Sequence, residues 1–249
     1  MRGDQPCRRL VVVVLGCRNR FRAVGTYQYV RIPRHGQIGP TFRVGVIGVA
    51  GIICRMGLER TKILALAKSI ARDVVVGAQG IWARTELRMA FPNALISRNV
   101  DVTGDVSKVV LGDGVAIYGP SVIVLYDGGG LTGSRLEIGE GTFVGEFANI
   151  RTAGAPITIG AHCLLGQNVT IVGSNHGTHV GVPIADQPWV GTGVEIGDDV
   201  WIASNTIVVA GARIASGVVI AANSVVRGDV PENAIMAGSP ARKVGERRP

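Results

Sequence analysis

Residues 190–231 read as seven consecutive six-residue repeats: VGTGVE, IGDDVW, IASNTI, VVAGAR, IASGVV, IAANSV and VRGDVP. The first position of every repeat is aliphatic, and the fourth is always glycine, asparagine or aspartate. Because these three residue types tolerate positive φ angles, the spacing predicts a corner in the chain every six residues. Between corners, each repeat leaves a few extended residues, too short for a helix and too regularly bent for a long strand.

The repeat predicts a solenoid with an aliphatic core. Residues in the same slot of successive turns lie above one another, so the aliphatic positions stack without long-range pairing. Looser repeats begin near Ile96 and become more regular from Ile138 onward. The sequence therefore predicts an all-β solenoid over residues 96–231.

One long insertion interrupts the repeats. The aliphatic repeat position at Ile171 is followed by the next one at Val190, nineteen residues later instead of six. Insertions in solenoids project from one face and often carry the binding site. Residues 172–189, VGSNHGTHVGVPIADQPW, are therefore the candidate functional loop.

The loop contains His176 and His179, two of only four histidines in the chain. Histidine suits the removal of a proton from a hydroxyl group, because the unperturbed side chain titrates close to neutral pH. From the residue types alone, a histidine that only caps a turn is an equally good interpretation.

The composition fits a narrow solenoid with a basic N-terminal segment. The chain is 47% hydrophobic but only 5% aromatic, and its 36 glycines match a fold with many corners. Residues 1–60 hold 11 Lys and Arg against 2 Asp and Glu, whereas residues 61–249 hold 15 against 16. The basic segment predicts either a poorly ordered, solvated tail or contact with an anionic membrane surface. No recognisable nucleic-acid module accompanies the charge, so nucleic acid is not an expected partner.

The cysteines and apolar runs indicate a cytoplasmic protein. Cys7, Cys17, Cys54 and Cys163 form no CxxC spacing and no disulfide framework. The apolar run 10–16 after two arginines is at the short limit of a secretory signal, and we do not expect export. The apolar run 44–54 is far shorter than the ~20 residues of a spanning helix.

Residues 61–95 predict a helical cap. Apolar residues from Thr61 recur at three- and four-residue spacing, Gly77 and Gly80 interrupt the pattern, and a second short helix is expected to end before Pro92. Such helices could cover the first turn of the solenoid or lie on a membrane. Capping is the better interpretation, because an open solenoid end exposes its core.

Several elements resemble the hexapeptide-repeat acyltransferases, in particular the sugar O-acetyltransferase branch. The resemblance covers roughly residues 96–244 and lies in IGAHCLLGQNVTI, SNHG, PIADQPW, IGDDVWIASNTIV and DVPENAIMAGSPARKV. These elements are similar to maltose and galactoside acetyltransferases and to capsule or lipopolysaccharide O-acetyltransferases. The resemblance implies a left-handed parallel β-helix, acetyl-CoA as co-substrate, a sugar or glycan acceptor, and a homotrimer with active sites between subunits.

The resemblance also implies roles for single residues. His176 matches the general base, with His179 as the alternative. Asn149 and Asn175 match acceptor-binding positions, and Trp201 matches the tryptophan that lines the active-site tunnel, although an outer tryptophan could equally pack on a neighbouring subunit.

Further positions match the coenzyme A site of the family, within the β-helix and in the tail 232–249. Ser204 would contact the thioester and stabilise the oxyanion of the tetrahedral intermediate, although it could be a plain turn residue. Where the family commonly has Thr-Lys-Asp, this chain has Arg227-Gly228-Asp229, so the usual lysine is missing. The remaining cofactor-binding candidates are Ala222, Ser224, Arg227, Arg242 and Lys243.

Two other classes of function remain open. A metal enzyme similar to the γ-type carbonic anhydrases would use His162, His176 and His179 as ligands, which must converge on one ion. The AGSPA and VWIAS elements favour coenzyme A, and we expect no metal. A non-catalytic solenoid that binds a partner is the other alternative.

Overall fold

The computed structural model describes residues 60–248. The segment 1–60, with the predictions of a solvated tail or a membrane contact, lies outside the described residues except for Arg60. A helix, α1 (Arg60–Ala90), is followed by short strands that wind into a coil. No helix in residues 60–248 has both the length and the apolar character needed to cross a membrane.

Three parallel sheets form the walls of the coil, and successive strands enter them in rotation. One of the three sheets ends with an antiparallel strand at the C-terminal end of the coil. Sheet A contains β1 (Leu95–Ile96), β4 (Ala116–Ile117), β7 (Phe143–Val144), β10 (Leu164–Leu165), β15 (Trp201–Ile202), β18 (Val219–Ile220), β21 (Ala234–Ala237) and β22 (Arg242–Glu246). Sheet B contains β2 (Val100–Gly104), β5 (Ser121–Leu125), β8 (Asn149–Arg151), β11 (Thr170–Val172), β16 (Ile207–Val208) and β19 (Val225–Val226). Sheet C contains β3 (Val109–Leu111), β6 (Arg135–Ile138), β9 (Pro156–Ile159), β14 (Val194–Ile196), β17 (Arg213–Ile214) and β20 (Asp229–Val230).

In the two-residue strands of sheets A, B and C, the last residue points into the core. In β15, Ile202 is buried while Trp201 faces outward, and the strand pairs in register with β10 and β18. Stacked Ile, Leu and Val residues fill the interior, where aliphatic side chains pack without polar atoms. This arrangement confirms the predicted left-handed parallel β-helix with a partly helical N-terminal extension.

The predicted corners adopt the left-handed backbone conformation. Six of the seven fourth positions have φ between 53° and 89°: Gly193, Asp199, Asn205, Gly211, Gly217 and Asn223. In the seventh repeat the positive φ belongs to Gly228 instead of Asp229. The residue types at the corners thus follow from backbone conformation.

All irregularity in the repeat falls at one corner of the coil. From sheet A to sheet B, and from sheet C back to sheet A, successive core residues are six apart in every complete turn. From sheet B to sheet C the interval varies: nine residues in 150–159, fifteen in 123–138 and twenty-five in 171–196. The insertions therefore stack along a single edge, which we call the B–C corner.

The longest insertion differs from its predicted bounds. Val190 is half exposed and pairs with Asn175 in a two-stranded antiparallel ribbon, β12 (Asn175–His176) with β13 (Trp189–Val190). The coil resumes at β14, where Ile196 is buried. Val190 satisfies the repeat pattern without entering the core, whereas Val194 of the same repeat is buried, so the insertion runs to residue 193 instead of 189.

The second half of α1 packs over the first turn of the coil. Leu87 is buried, and Arg84 Nη1 and Arg88 Nε donate hydrogen bonds of 2.8 and 2.9 Å to carbonyl oxygens of that turn. The helix is continuous through Gly80, where the sequence predicted an interruption. A Cβ at Gly80 would lie 3.0 Å from Asp101 Oδ1, so glycine permits a close approach instead of a break.

Core burial predicts that replacing two isoleucines close together in sequence by alanine will lower the stability of the protein by different amounts. We expect Ile202→Ala to lower the free energy of unfolding by about 2–5 kcal/mol, because it leaves a cavity among stacked aliphatic residues. Ile207→Ala is the matched control, since its side chain is 40% exposed on the outer face of sheet B and should cost under about 1 kcal/mol. Chemical denaturation measures both, and equal losses would contradict the placement of Ile202 inside the coil.

Candidate active site

The long insertion forms a hairpin that presents His176 at the B–C corner. We call residues 173–193 the loop hairpin. Its ribbon places His176 opposite Trp189, and Gly177 N donates to Pro188 O at 2.9 Å. The His176 ring meets the Trp189 indole edge-on, with 6.0 Å between ring centroids. His176 is exposed, so its imidazole is free to contact a substrate.

Gln187 holds the tip of the loop hairpin together. Its side chain is only 5% exposed. The amide oxygen accepts from His179 N at 2.7 Å, while the amide nitrogen donates to His179 O at 3.0 Å and to Val182 O at 2.8 Å. A buried amide with both ends satisfied fixes the backbone around it, because unpairing those groups would leave them buried without partners.

The base of the loop hairpin is tied to the preceding turn of the coil. Gly173 N donates to Arg151 O at 2.8 Å, and Ser174 Oγ donates to Ala153 O at 2.5 Å. Ala153 belongs to the insertion of that preceding turn and has a left-handed backbone conformation, with a φ of 48°. The hairpin is thus bonded to its neighbour at the point where it leaves the coil.

A second insertion, loop 126–134, supports the hairpin from its other side. Trp189 N donates to Gly129 O at 2.8 Å, and a Cβ at Gly129 would lie 2.1 Å from the indole. Only glycine allows this close approach. The run of three glycines at 128–130 is a signal that sequence analysis could have used.

Loop 126–134 is itself fixed by Asp127. Asp127 Oδ1 accepts from Ser134 N at 3.0 Å, and its other oxygen forms an ion pair with Lys108. The hydrogen bond from Lys108 lowers the pKa of the Asp127 carboxyl group. The charged pair therefore ties together two insertions at the B–C corner.

The outer face of sheet B next to the loop hairpin carries Asn149 and Arg151. Asn149 Oδ1 accepts from Arg151 Nε at 2.9 Å. Phe147, two residues earlier, is 59% exposed and has a φ of 62°, which is unusual for an aromatic residue. Of these three residues, the sequence predicted only Asn149 as a site residue. Phe147 was missed because it takes a corner slot that asparagine fills in other turns.

Ser204 and Ser224 both lie at the corner between sheets A and B, in different environments. Ser204 Oγ donates to Gln167 Oε1 at 2.9 Å and is partly exposed. Ser224 is fully buried, with its hydroxyl group 2.7 Å from Ala221 O and accepting from Gly238 N. The Ser224 side chain therefore stabilises a turn, and the exposed Ala222 and Asn223 before it offer surface to a ligand.

Trp201 lies on the outer face of sheet A and is 51% exposed. It borders a shallow groove of about 260 Å³ with His162, Leu164, Val219 and Arg247. Sheet A is the wall opposite the B–C corner. Within one chain, Trp201 and His176 are thus on different sides of the coil.

The basic residues proposed for coenzyme A are also dispersed. Arg227 is exposed at the B–C corner after β19, whereas Arg242 and Lys243 begin the antiparallel strand β22 of sheet A. Arg242 Nη1 donates to the adjacent Ala241 O at 2.9 Å, and Lys243 pairs with Glu246. One chain therefore does not bring these three cations together.

The histidines and the cysteine in the described region have separate environments. His162 lies at a corner between sheets C and A, away from His176 and His179 in the loop hairpin. Residues 60–248 contain no group of three or more His, Cys, Asp and Glu side chains placed to hold a metal ion. Cys163 is buried in the core, and this burial raises the pKa of its thiol.

Residues 193–228 match the family model described as bacterial transferase hexapeptide (six repeats). The chain carries the hexapeptide repeat of bacterial transferases. This match confirms the resemblance to hexapeptide-repeat acyltransferases that the sequence motifs predicted. No curated protein matches the chain.

One solved structure shares the fold of the hexapeptide-repeat coil, and two others are similar to part of the chain. The D94A mutant of AntD, an N-acyltransferase from Bacillus cereus in complex with dTDP and coenzyme A, has a TM-score of 0.54 at 16% identity, covering 66% of this chain and 89% of that one. The hexapeptide-repeat acetyltransferase VCA0836 from Vibrio cholerae is 35% identical over 45% of this chain, with a TM-score of 0.41. The polySia specific acetyltransferase NeuO is 25% identical over 55% of this chain, with a TM-score of 0.45. This chain spans 62% of the length of VCA0836 and 61% of NeuO.

The buried amide of Gln187 predicts a local effect on the loop hairpin. We expect Gln187→Ala to leave the unfolding midpoint of the coil nearly unchanged, because the core residues are untouched. Amide hydrogen exchange in residues 177–187 should become about tenfold faster or more, since three hydrogen bonds are lost. Gln167→Ala, at an exposed corner, is the matched control, and unchanged exchange in the hairpin would show that Gln187 does not hold it.

Proposed function

We propose that the protein is an acetyl-CoA-dependent O-acetyltransferase that modifies a sugar hydroxyl of a glycan, glycolipid or small saccharide. The observation that carries this proposal is the exposed His176 on a braced hairpin, inserted into a coil that matches the transferase repeat. The buried Gln187 and the contact of Trp189 with Gly129 support a fixed position for the imidazole. Fixed placement of a general base is what proton removal from a hydroxyl group requires.

His176 would take the proton of the acceptor hydroxyl as its oxygen attacks the thioester carbonyl carbon. The tetrahedral intermediate would then collapse, the carbon–sulfur bond would break, and the proton would pass from His176 to the departing thiolate. Direct attack is favoured over an acyl-enzyme, because Cys163 is buried in the core and Ser204 has no base beside it. Ser204 lies at the corner between sheets A and B, away from His176, so it would donate to the oxyanion from a neighbouring subunit after its hydroxyl group turns away from Gln167.

Coenzyme A would lie along the corner between sheets A and B. Ala222 is small and exposed there, which allows a pantetheine chain to approach the backbone, and Ser224 keeps the turn in shape through its buried hydroxyl group. Arg242 and Lys243 begin the strand that folds back at this end of the coil and would donate to phosphates. Arg227, at a different corner, could reach the same molecule only from a neighbouring subunit.

The acceptor would bind on the outer face of sheet B, close to the loop hairpin. Asn149 offers an amide on that face, and Phe147 offers an exposed aromatic ring two residues earlier. Asn175 is exposed beside His176 at the start of the hairpin. A few polar groups beside an aromatic surface are typical of small-molecule sites.

We propose a homotrimer in which Trp201 of one subunit completes the site of another. Leu95, Leu164 and Trp201 are each about half exposed on the outer face of sheet A, a column of apolar surface that association would cover. The outer face of sheet C instead carries ion pairs such as Glu195 with Arg213 at 3.8 Å. Because Trp201 and His176 lie on different sides of one coil, a site that uses both needs two subunits.

Cysteine usage in the sequence supports a cytoplasmic location for this reaction. Contact of the basic residues 1–60 with anionic lipid stays a prediction, and no nucleic-acid partner is proposed.

Removal of the base tests the proposed chemistry. We expect His176→Ala to lower the rate of thiol release from acetyl-CoA by about 10²–10⁴-fold with a sugar acceptor, because general-base catalysis contributes that range. The trimer and the affinity for acetyl-CoA should be unchanged. His179→Ala is the control from the same hairpin, and activity that survives in His176→Ala but is lost in His179→Ala would assign the base to His179.

Mixing two inactive variants tests the shared site. We expect His176→Ala and Trp201→Ala each to be nearly inactive. A mixture of the two, unfolded and refolded together at equal amounts, should recover about one quarter of wild-type activity. In such a mixture, about one site in four combines an intact His176 with an intact Trp201 from different subunits. Activity assays on the separated and the mixed variants measure this. No recovery in a properly assembled mixture would place both residues in one subunit or Trp201 outside the site.

A further inference from the structure

We infer that Arg151 binds an anionic group of the acceptor, a carboxylate or a phosphate. This inference rests on the proposed acetyl transfer at His176 and specifies the class of sugar that the site takes. It comes from the position of Arg151, its hydrogen bond to Asn149 and the charge of its surroundings.

Arg151 stands at the base of the loop hairpin. It is the last residue of β8, and it pairs in register with Val172, the last residue of β11 before the hairpin begins. Its carbonyl oxygen accepts from Gly173 N at 2.8 Å. The side chain is exposed, and Asn149 shares the same outer face because residues two apart in a strand point to the same side. Arg151 is thus placed beside the surface proposed for the acceptor.

The guanidinium group of Arg151 has donors left for a ligand. Its Nε donates to Asn149 Oδ1 at 2.9 Å, which uses one of its five N–H groups. The two terminal nitrogens have no hydrogen-bond partner among the described residues. They form the edge of the guanidinium fork that matches two oxygens of a carboxylate or phosphate.

Within residues 60–248, no carboxylate lies close enough to Arg151 to form an ion pair with it. On sheet C, Arg135 pairs with Glu137 and Arg213 pairs with Glu195, whereas Arg151 makes no ion pair within residues 60–248. The strands on either side, β5 and β11, are uncharged. The neighbouring strands therefore leave the charge of Arg151 unpaired, although β2 of the same sheet carries Asp101 two strands away, and this positive charge attracts an anionic ligand.

The hydrogen bond between Arg151 and Asn149 also orients Asn149. Because the amide oxygen is occupied by Arg151, the amide nitrogen of Asn149 remains to donate to a sugar oxygen. The two side chains together therefore present donors to an anion and to a neighbouring hydroxyl group. A neutral sugar would use only the second of these.

The test compares matched acceptors that differ in charge. Methyl glucoside is the neutral probe, glucuronate carries a carboxylate, and glucose 1-phosphate carries a phosphate. We expect kcat/KM for at least one anionic sugar to exceed that for methyl glucoside by about tenfold or more, with the difference mainly in KM. Arg151→Gln should remove this preference, so that kcat/KM falls by about tenfold more for the anionic sugar than for methyl glucoside, which loses only the orientation of Asn149. Arg151→Lys should retain part of it, and Arg213→Gln on sheet C should retain all of it.

Equilibrium binding of the same three sugars, without acetyl-CoA, gives a measurement that does not depend on turnover. Tighter binding of an anionic sugar that Arg151→Gln abolishes would support the inference even if no acetyl transfer occurred, in which case the proposed reaction alone would be wrong. Equal binding of neutral and anionic sugars would overturn the inference. An equal loss with all three sugars in Arg151→Gln would also overturn it, and would show that Arg151 acts only by orienting Asn149.

Discussion

The six-residue interval between left-handed corners is the constraint on which the rest of this structure depends. Two of the three corners keep that interval in every complete turn, so the three sheets stay in register and the aliphatic residues stack. Extra residues can then enter only at the B–C corner without shifting the core. Successive turns place their insertions at the same edge, so the insertions together form a candidate functional surface on a fold that is otherwise uniform.

Each insertion at the B–C corner depends on its neighbours. The hairpin that carries His176 is bonded at its base to the insertion of the preceding turn, and Trp189 packs on the glycines of loop 126–134. Asp127 ties that loop to Lys108 in the first turn. Within the hairpin, the buried side-chain amide of Gln187 holds the backbone through hydrogen bonds instead of through hydrophobic packing. An exposed histidine can therefore keep a fixed position, as a base must when it acts on a bound hydroxyl group.

Much of this arrangement follows from residue types in the sequence, and the exceptions have physical causes. Corners were predictable because positive φ restricts residue choice, and six of the seven predicted corners adopt it. Val190 was assigned to the core wrongly, because a repeat records residue type and spacing but not burial. Arg151 was missed because its significance lies in a contact with Asn149 and in neutral strands from other turns, which only the folded coil brings beside it.

The three walls of the coil differ in chemistry, although one repeat builds them all. Sheet A exposes a column of apolar residues that includes Leu164 and Trp201, sheet C exposes paired charges, and sheet B carries Asn149 and the lone cation Arg151. An apolar wall is stabilised when another surface covers it, whereas paired charges are well solvated as they stand. Association through sheet A would leave sheet C in water and bring Trp201 of one subunit toward the polar wall and loop hairpin of another. The repeat keeps Trp201 and His176 apart in one chain. Association that covers the apolar wall would bring them together between chains, which favours a site shared by two subunits.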